Sequence, residues 1–316
     1  MAFPLPRAHP VLPRFERVDL CYKTLGSTEF EAAILVSHSL ASSSRKTNRP
    51  LLVHFHGGGL LMGTILDSAI LSVWPLELAE NENAVVVSPA YRLLPEAKGG
   101  DILDDIKDFW IWVRSSLPTE IAKRWPHISL DVDRAAVFGE SAGGYLSLQS
   151  AFLCPEANIK LVMPQYGAMF PDIDEYLPKV PQSTPGSDDI VDAYLKNIEP
   201  GAIRLLSPYP TFGPFAGAVA GAGRHRDLLG DDKRLNLDYG LNNVKVLPPV
   251  WVAQGTDDTI VSKEASDELV KRIRNTHPNT PLLYSVQPGG HGFDNDHTLA
   301  EPWITEAMEF VQKHWP

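Results

Sequence analysis

Six short apolar runs constrain the chain more than any other feature. They are LLVHF (51–55), AVVVS (84–88), AAVF (135–138), LVM (161–163), VWVA (250–253) and LLYSV (282–286). Compact runs of this kind suit strands buried on both faces. Between them apolar residues recur at helical spacing: Ile102, Ile106, Phe109, Val113 and Leu117, then Ala265, Leu269 and Ile273, and later Trp303, Ala307, Phe310 and Val311. Alternating strands and helices predict a mainly parallel sheet covered by helices. Ahead of them, VDLCYKTL and FEAAILVS, separated by GSTE, predict an antiparallel hairpin.

Residues 171–245 break the alternation. They carry scattered prolines, the stretch SPYPTFGPFAGAVAGAG and no clear strand. A connection that long in a compact domain points to a lid or binding insertion, and the Pro-rich N-terminus, about 1–17, is expected to join it. Phe212 and Phe215 are the candidate substrate-pocket walls within it.

Composition excludes several classes. With a net charge of −11 and no Lys/Arg-rich run, neither nucleic acid nor an anionic membrane is an expected partner. No apolar run approaches membrane-spanning length, and Pro4, Pro6, Pro10 and Pro13 interrupt any leader-like stretch. Cys21 and Cys154 are too far apart in sequence for a metal-spacing motif, and no disulfide framework is expected; a cytosolic setting fits.

The chemistry centres on RAAVFGESAGGYLSLQS. Gly139-Glu140-Ser141-Ala142-Gly143 is a G-x-S-x-G sequence lying between an apolar strand and a helix, the context that a nucleophile elbow requires. A strained turn would push Ser141 out at the sheet edge, with small residues two positions either side to avoid collisions. A serine hydroxyl needs an adjacent base. His291, in SVQPGGHGFDND after the last strand, stands in a Gly-rich loop free to aim an imidazole. His54 and His56 lack a third metal ligand nearby, and His297 and His314 fall at or inside the last helix. A carboxylate must hold the base's tautomer, and VWVAQGTDDT offers Asp257 and Asp258 at the end of another strand. The order Ser, Asp, His is that of α/β-hydrolases.

In such an architecture HGGG at 56–59 has a role. The turn after the third strand must offer backbone N–H groups to the oxyanion formed when Ser141 attacks a carbonyl, and only glycines let an oxygen approach so closely. Gly58, Gly59 and Ala142 are the expected donors. A phosphate-cradling loop would read G-x-x-x-x-G-K-S/T or G-x-G-x-x-G, and HGGGLLMG is neither.

His56-Gly57-Gly58-Gly59, YRLLPE with LDDIKDFWIW behind it, GESAGG and HGF together resemble the hormone-sensitive-lipase-like group of α/β-hydrolases over about residues 50–316. That resemblance implies one α/β-hydrolase domain over 1–316, an eight-stranded core with a helical cap, and carboxylic-ester hydrolysis without a metal or organic cofactor. It also implies a possible homodimer through the last strand and helix. Counted from Gly255, the group's acid falls on Asp258, which gives a Ser141–Asp258–His291 triad. Tyr91, Arg92 and Glu96 resemble the group's structural strand-end network. The chain departs from the group with Glu140 in place of Asp at the elbow, and with Ser262 where an acidic residue is usual; Ser262 is expected to be a helix N-cap.

Three functions fit these residues. The first is a serine carboxylesterase acting on a small to medium apolar ester, thioester or lactone. The second is a tailoring enzyme of polyketide-like metabolism that uses the same site for acyl transfer, cyclisation or another non-hydrolytic step. The third is a non-catalytic binding protein on the same fold.

Overall fold

In the computed structural model, residues 8–168 and 185–315 are described. Eight strands make one sheet: β1 (Phe15–Leu25), β2 (Thr28–Ser37), β3 (Thr47–Phe55), β4 (Val85–Pro89), β5 (Ile128–Glu140), β6 (Ile159–Gln165), β7 (Val250–Gly255) and β8 (Leu282–Gln287), in the order β1-β2-β4-β3-β5-β6-β7-β8. β1 and β2 form the expected hairpin, β2 runs antiparallel to β4, and all later pairings are parallel. This is the α/β-hydrolase architecture. β3 and β5 are longer than their apolar cores because Thr47–Pro50 pairs with Ile128–Asp131 ahead of a register shift.

The helices are α1 (His38–Ala41), α2 (Val73–Asn81), α3 (Gly99–Ser115), α4 (Leu117–Arg124), α5 (Ala142–Leu153), α6 (Ser187–Lys196), α7 (Tyr209–Gly221), α8 (His225–Leu229), α9 (Leu237–Asn243), α10 (Lys263–Thr276) and α11 (Pro302–His314). Alternate strand residues feed two apolar layers. One joins Val53, Val87 and Val137 to Phe109, Leu146 and Phe212; the other joins Leu52, Ala136 and Trp251 to Trp74, Trp303 and Val311. Trp74 and Trp251 meet at 5.0 Å between ring centroids. Fully burying such side chains contributes about 1.5–3 kcal/mol each.

The 171–245 stretch is helical where described: α6 to α9 fall within it, and 171–184 lie outside the described residues. α7 contains Pro214 and is apolar on most sides, so no helical period marks it in the sequence. At the N-terminus residues 1–7 also lie outside the described part. Of the N-terminal stretch expected in the cap, Phe15–Arg17 instead begin β1, and Val11 is buried with Phe15 in the layer that contains Trp74.

Candidate active site

Ser141 occupies the junction of β5 and α5 with φ 55° and ψ −118°. A side-chain-bearing residue held there costs about 1–3 kcal/mol, so the surroundings must hold it. Ser141 N donates to Gln165 O (2.9 Å), and Tyr145 N donates to Ser141 O (3.1 Å). The flanking glycines are required by close approach. A Cβ on Gly143 would lie 1.8 Å from Phe55 O, and one on Gly139 2.4 Å from the carbonyl carbon of Gly143.

His291 and Asp258 are brought together. His291 Nδ1 lies 2.8 Å from Asp258 Oδ2, and the Asp258 side chain is fully buried. Asp258 Oδ1 accepts from Ile260 N (2.8 Å) and Val261 N (2.9 Å), while Oδ2 also accepts from Gln254 Nε2 (3.3 Å). Asp257 points elsewhere: its Oδ2 accepts from Thr256 Oγ1 (2.9 Å) and Gly289 N (3.2 Å). Ser262 caps α10 by accepting from Ala265 N.

Tyr166 links the two halves of the site, and sequence reasoning missed it. It follows Gln165, which holds Ser141 N, and its ring meets the His291 ring edge-on at 4.7 Å. Its φ of 38° is the one visible irregularity, and nothing in the sequence announces it.

The glycine turn after β3 packs against the elbow, since a Cβ on Gly57 would lie 2.8 Å from Glu140 O. Gly58 has φ 109°, and a Cβ there would lie 2.0 Å from Met62 O. Gly57 is thus the residue of the turn that touches the elbow, and Gly58 and Gly59 follow it in the same turn. Neighbouring elements hold the turn's backbone. Leu94 N donates to Leu60 O (2.8 Å), Arg204 Nη1 to Leu61 O (3.0 Å), and Ser207 pairs with Gly63 in both directions (2.7 and 2.9 Å).

His54 and Glu140 form a second buried group. His54 Nε2 lies 2.8 Å from Glu140 Oε2 and its Nδ1 2.9 Å from Ser88 Oγ, while Ser72 N donates to Glu140 Oε1 (3.0 Å). Glu140 therefore ties the elbow to β3 and to the start of α2. His56 stacks on Tyr91 (4.3 Å, 13°), and its Nδ1–H donates to Gly57 O (2.7 Å). Burial lowers its pKa to about 3. Among the described residues no three His, Cys, Asp or Glu side chains cluster as metal ligands.

Arg92 pairs with Asp105 and Asp101, whereas Glu96 accepts from Arg204 Nε (2.8 Å) and Tyr194 Oη (2.6 Å). Phe212 and Phe215 meet each other, Tyr194 and, at Phe212, the Arg204 guanidinium 3.7 Å from the ring centroid. A cleft of about 620 Å³ lined by Arg226, Asp232, Lys233 and Tyr239 opens on the same segment but contains no residue of the elbow or the His291 loop.

The family described as alpha/beta hydrolase fold matches residues 52–208. Across 311 residues the chain is 32% identical to "Probable carboxylesterase M8" of a Phoma species, covering 95% of this chain and 97% of that one. It is 31% identical over 189 residues to "Probable carboxylesterase clz11" of Cochliobolus lunatus, covering 57% and 86%. Esterase 2 of Thermogutta terrifontis, solved after phosphonylation by sarin, superposes with a TM-score of 0.65 at 18% identity, covering 97% of each chain. The chain belongs to the α/β-hydrolase family, in its hormone-sensitive-lipase-like group. Among the described residues no helix is long and apolar enough to cross a membrane.

Proposed function

We propose that this chain is a serine carboxylesterase that cleaves a small to medium apolar carboxylic ester, thioester or lactone through an acyl-Ser141 intermediate. The observation that carries the reading is the 2.8 Å bond from His291 Nδ1 to the buried Asp258 carboxylate, in a family whose relatives here bear carboxylesterase names.

The chemistry follows from that bond. With its Nδ1 proton donated to Asp258, His291 keeps the Nε2 lone pair free to take the Ser141 Oγ proton. Oγ then attacks the substrate carbonyl carbon, and the resulting oxyanion accepts from the N–H groups of Gly58, Gly59 and Ala142. Ala142 opens the twelve-residue helix α5, whose N-terminal partial positive charge adds to the stabilisation. The imidazolium, stabilised by Asp258, gives its proton to the leaving group, and the carbon–oxygen or carbon–sulfur bond breaks. Water, activated by the same imidazole, hydrolyses the acyl-serine.

The same proposal makes residues 1–316 one domain, with the described helices of 171–245 as the cap and Phe212 and Phe215 as pocket walls. It places the enzyme in the cytosol, in keeping with free thiols at Cys21 and Cys154, and pairs two copies through α11 and β8, the latter forming one edge of the sheet. Cell fractionation and light scattering test these last two points.

Purified protein incubated with a panel of aryl esters, alongside Ser141→Ala and a fluorophosphonate probe, tests the function. Rapid turnover and labelling, both lost in Ser141→Ala, are expected. Labelling without turnover would replace hydrolysis by acyl transfer or cyclisation, and neither would leave a binding protein.

A further inference from the structure

The turn that carries the expected oxyanion donors has an unusual shape. Gly58, Gly59 and Leu60 have φ of 109°, 64° and 62°. Leu60 alone of these bears a side chain, and such a residue stays in the left-handed region only when its surroundings hold it there. The peptide plane before Gly59 is fixed from within, because Gly58 O accepts from Leu61 N (3.0 Å) and Met62 N (3.1 Å). The plane after Gly59 is held from outside: Gly59 O lies 2.7 Å from His225 Nε2 on α8, 166 positions along the chain.

A carbonyl oxygen only accepts, so His225 Nε2 carries the proton. Burial lowers the pKa of His225, which favours a neutral ring with its single proton at Nε2. The imidazole is thus a fixed donor aimed at one backbone oxygen.

We infer that His225 is a positioning residue for the oxyanion hole, an inference that rests on reading Gly58 and Gly59 as its donors. Rotation of the Gly59–Leu60 peptide takes Leu60 out of the left-handed region, while glycine at 59 absorbs the change at no steric cost. The turn therefore has a relaxed alternative, and the bond from His225 opposes it. In that alternative Gly59 O swings to the opposite side of the turn, and the change of torsion at Leu60 shifts Leu61 N and Met62 N away from Gly58 O, so the plane that bears the Gly59 N–H loses its inner hold. His225 belongs to the helical segment that follows β6, so docking of that segment and alignment of the hole are one event.

The test compares His225→Ala with His225→Gln, whose side-chain amide keeps a donor at similar reach. Both are melted to establish folding, then assayed on a short-chain 4-nitrophenyl ester. In His225→Ala, kcat is expected to fall about 10- to 100-fold, less than the 10²–10³ of deleting an oxyanion donor, because the donors are misaimed and not lost. KM should stay within about twofold, the pattern of an interaction realised in the transition state. Affinity for a trifluoromethyl ketone, which places an oxyanion in the hole, should fall in proportion to kcat. Amide exchange in peptides spanning 57–63 should quicken. His225→Gln should restore most of each. Equal impairment of the two folded variants, or exchange as slow in His225→Ala as in the parent, would overturn the role of His225 whatever the turnover. A parent protein that neither hydrolyses aryl esters nor takes up a fluorophosphonate at Ser141 would defeat the esterase reading itself, and with it the catalytic meaning of this bond.

Discussion

Asp258→Asn changes one atom, and the surrounding hydrogen bonds dictate how the new amide must sit. Asp258 Oδ1 faces two backbone donors, Ile260 N at 2.8 Å and Val261 N at 2.9 Å. An amide nitrogen placed there would oppose both, so the asparagine oxygen takes that side and its NH₂ turns to His291 Nδ1. A donor now faces Nδ1, which must become the acceptor, and the ring proton moves to Nε2. Nε2 can no longer take the proton of Ser141. The loss expected from a wrong tautomer is about 10⁴-fold in kcat, or about 5 kcal/mol of transition-state stabilisation, if the serine-protease precedent transfers. Asp257→Asn provides the contrast. Its oxygen can still accept from Gly289 N on the exposed side of the turn, and stability should change by about 0.5 kcal/mol or less with turnover nearly intact. Both variants are assayed on one aryl ester, with thermal melts and circular dichroism to confirm folding. A folded Asp257→Asn that loses more activity than Asp258→Asn would refute the reasoning.

Ser141→Ala should fold, since it removes one oxygen at the elbow, and should retain only about 10³-fold acceleration over water from the oxyanion hole and binding; activity above a few per cent of the parent would be inconsistent with a serine nucleophile. Gly143→Ala should fail to give folded soluble protein, because its Cβ would lie 1.8 Å from Phe55 O. Gly59→Ala has only His225 Nε2 at 3.9 Å in its way and should fold with a penalty of about 1–2 kcal/mol for its left-handed backbone; matching melting temperatures for the two would contradict this ranking. Burial lowers the pKa of His56 to about 3, so the unfolded chain binds a proton there that the native chain does not. The stability this provides is complete above the unfolded value of about 6.5 and is lost as pH falls toward 3, at up to about 1.4 kcal/mol per unit. Denaturant titrations at pH 7, 6, 5 and 4 should show a shallower acid limb in His56→Asn. Phe215→Ala should alter the ratio of kcat/KM for short and long acyl esters, and an unchanged ratio with both rates intact would remove this ring from the pocket wall.

The sheet was legible because its inner strands are buried on both faces and so appear as unbroken apolar runs. The first half of β5, ISLDVD, was not, since exposed and half-buried polar residues interrupt it before the register shift. Helix α7 hid for a different reason: Pro214 and its small residues carry turn signals, and an all-round apolar helix has no period. At the site, Ser141 and His291 sit among glycines that mark a strained or freely aimed loop, and Asp258 follows a strand closely. Arg204, Ser207 and His225 left no such mark, because each reaches a main-chain oxygen of the turn, and a carbonyl is the same in every residue. Tyr166 was equally silent: its contact with His291 depends on a backbone angle that no local pattern announces.

The contacts from Arg204 and Ser207 to the turn after β3 bear on how such an enzyme could be re-engineered. A segment joined to a scaffold only at its two ends can be exchanged between homologues as a cassette. This one cannot, because it carries supports for a loop some 140 residues earlier in the chain. A chimera that imports a foreign segment without a guanidinium at 204 and the backbone pairing at 207 would present a turn lacking those outside supports. Changes that leave these anchors in place are then confined to the faces of α6 and α7 turned away from them. Libraries that randomise those faces while holding 204, 207 and 225 constant should contain far more active members than libraries of whole-segment swaps.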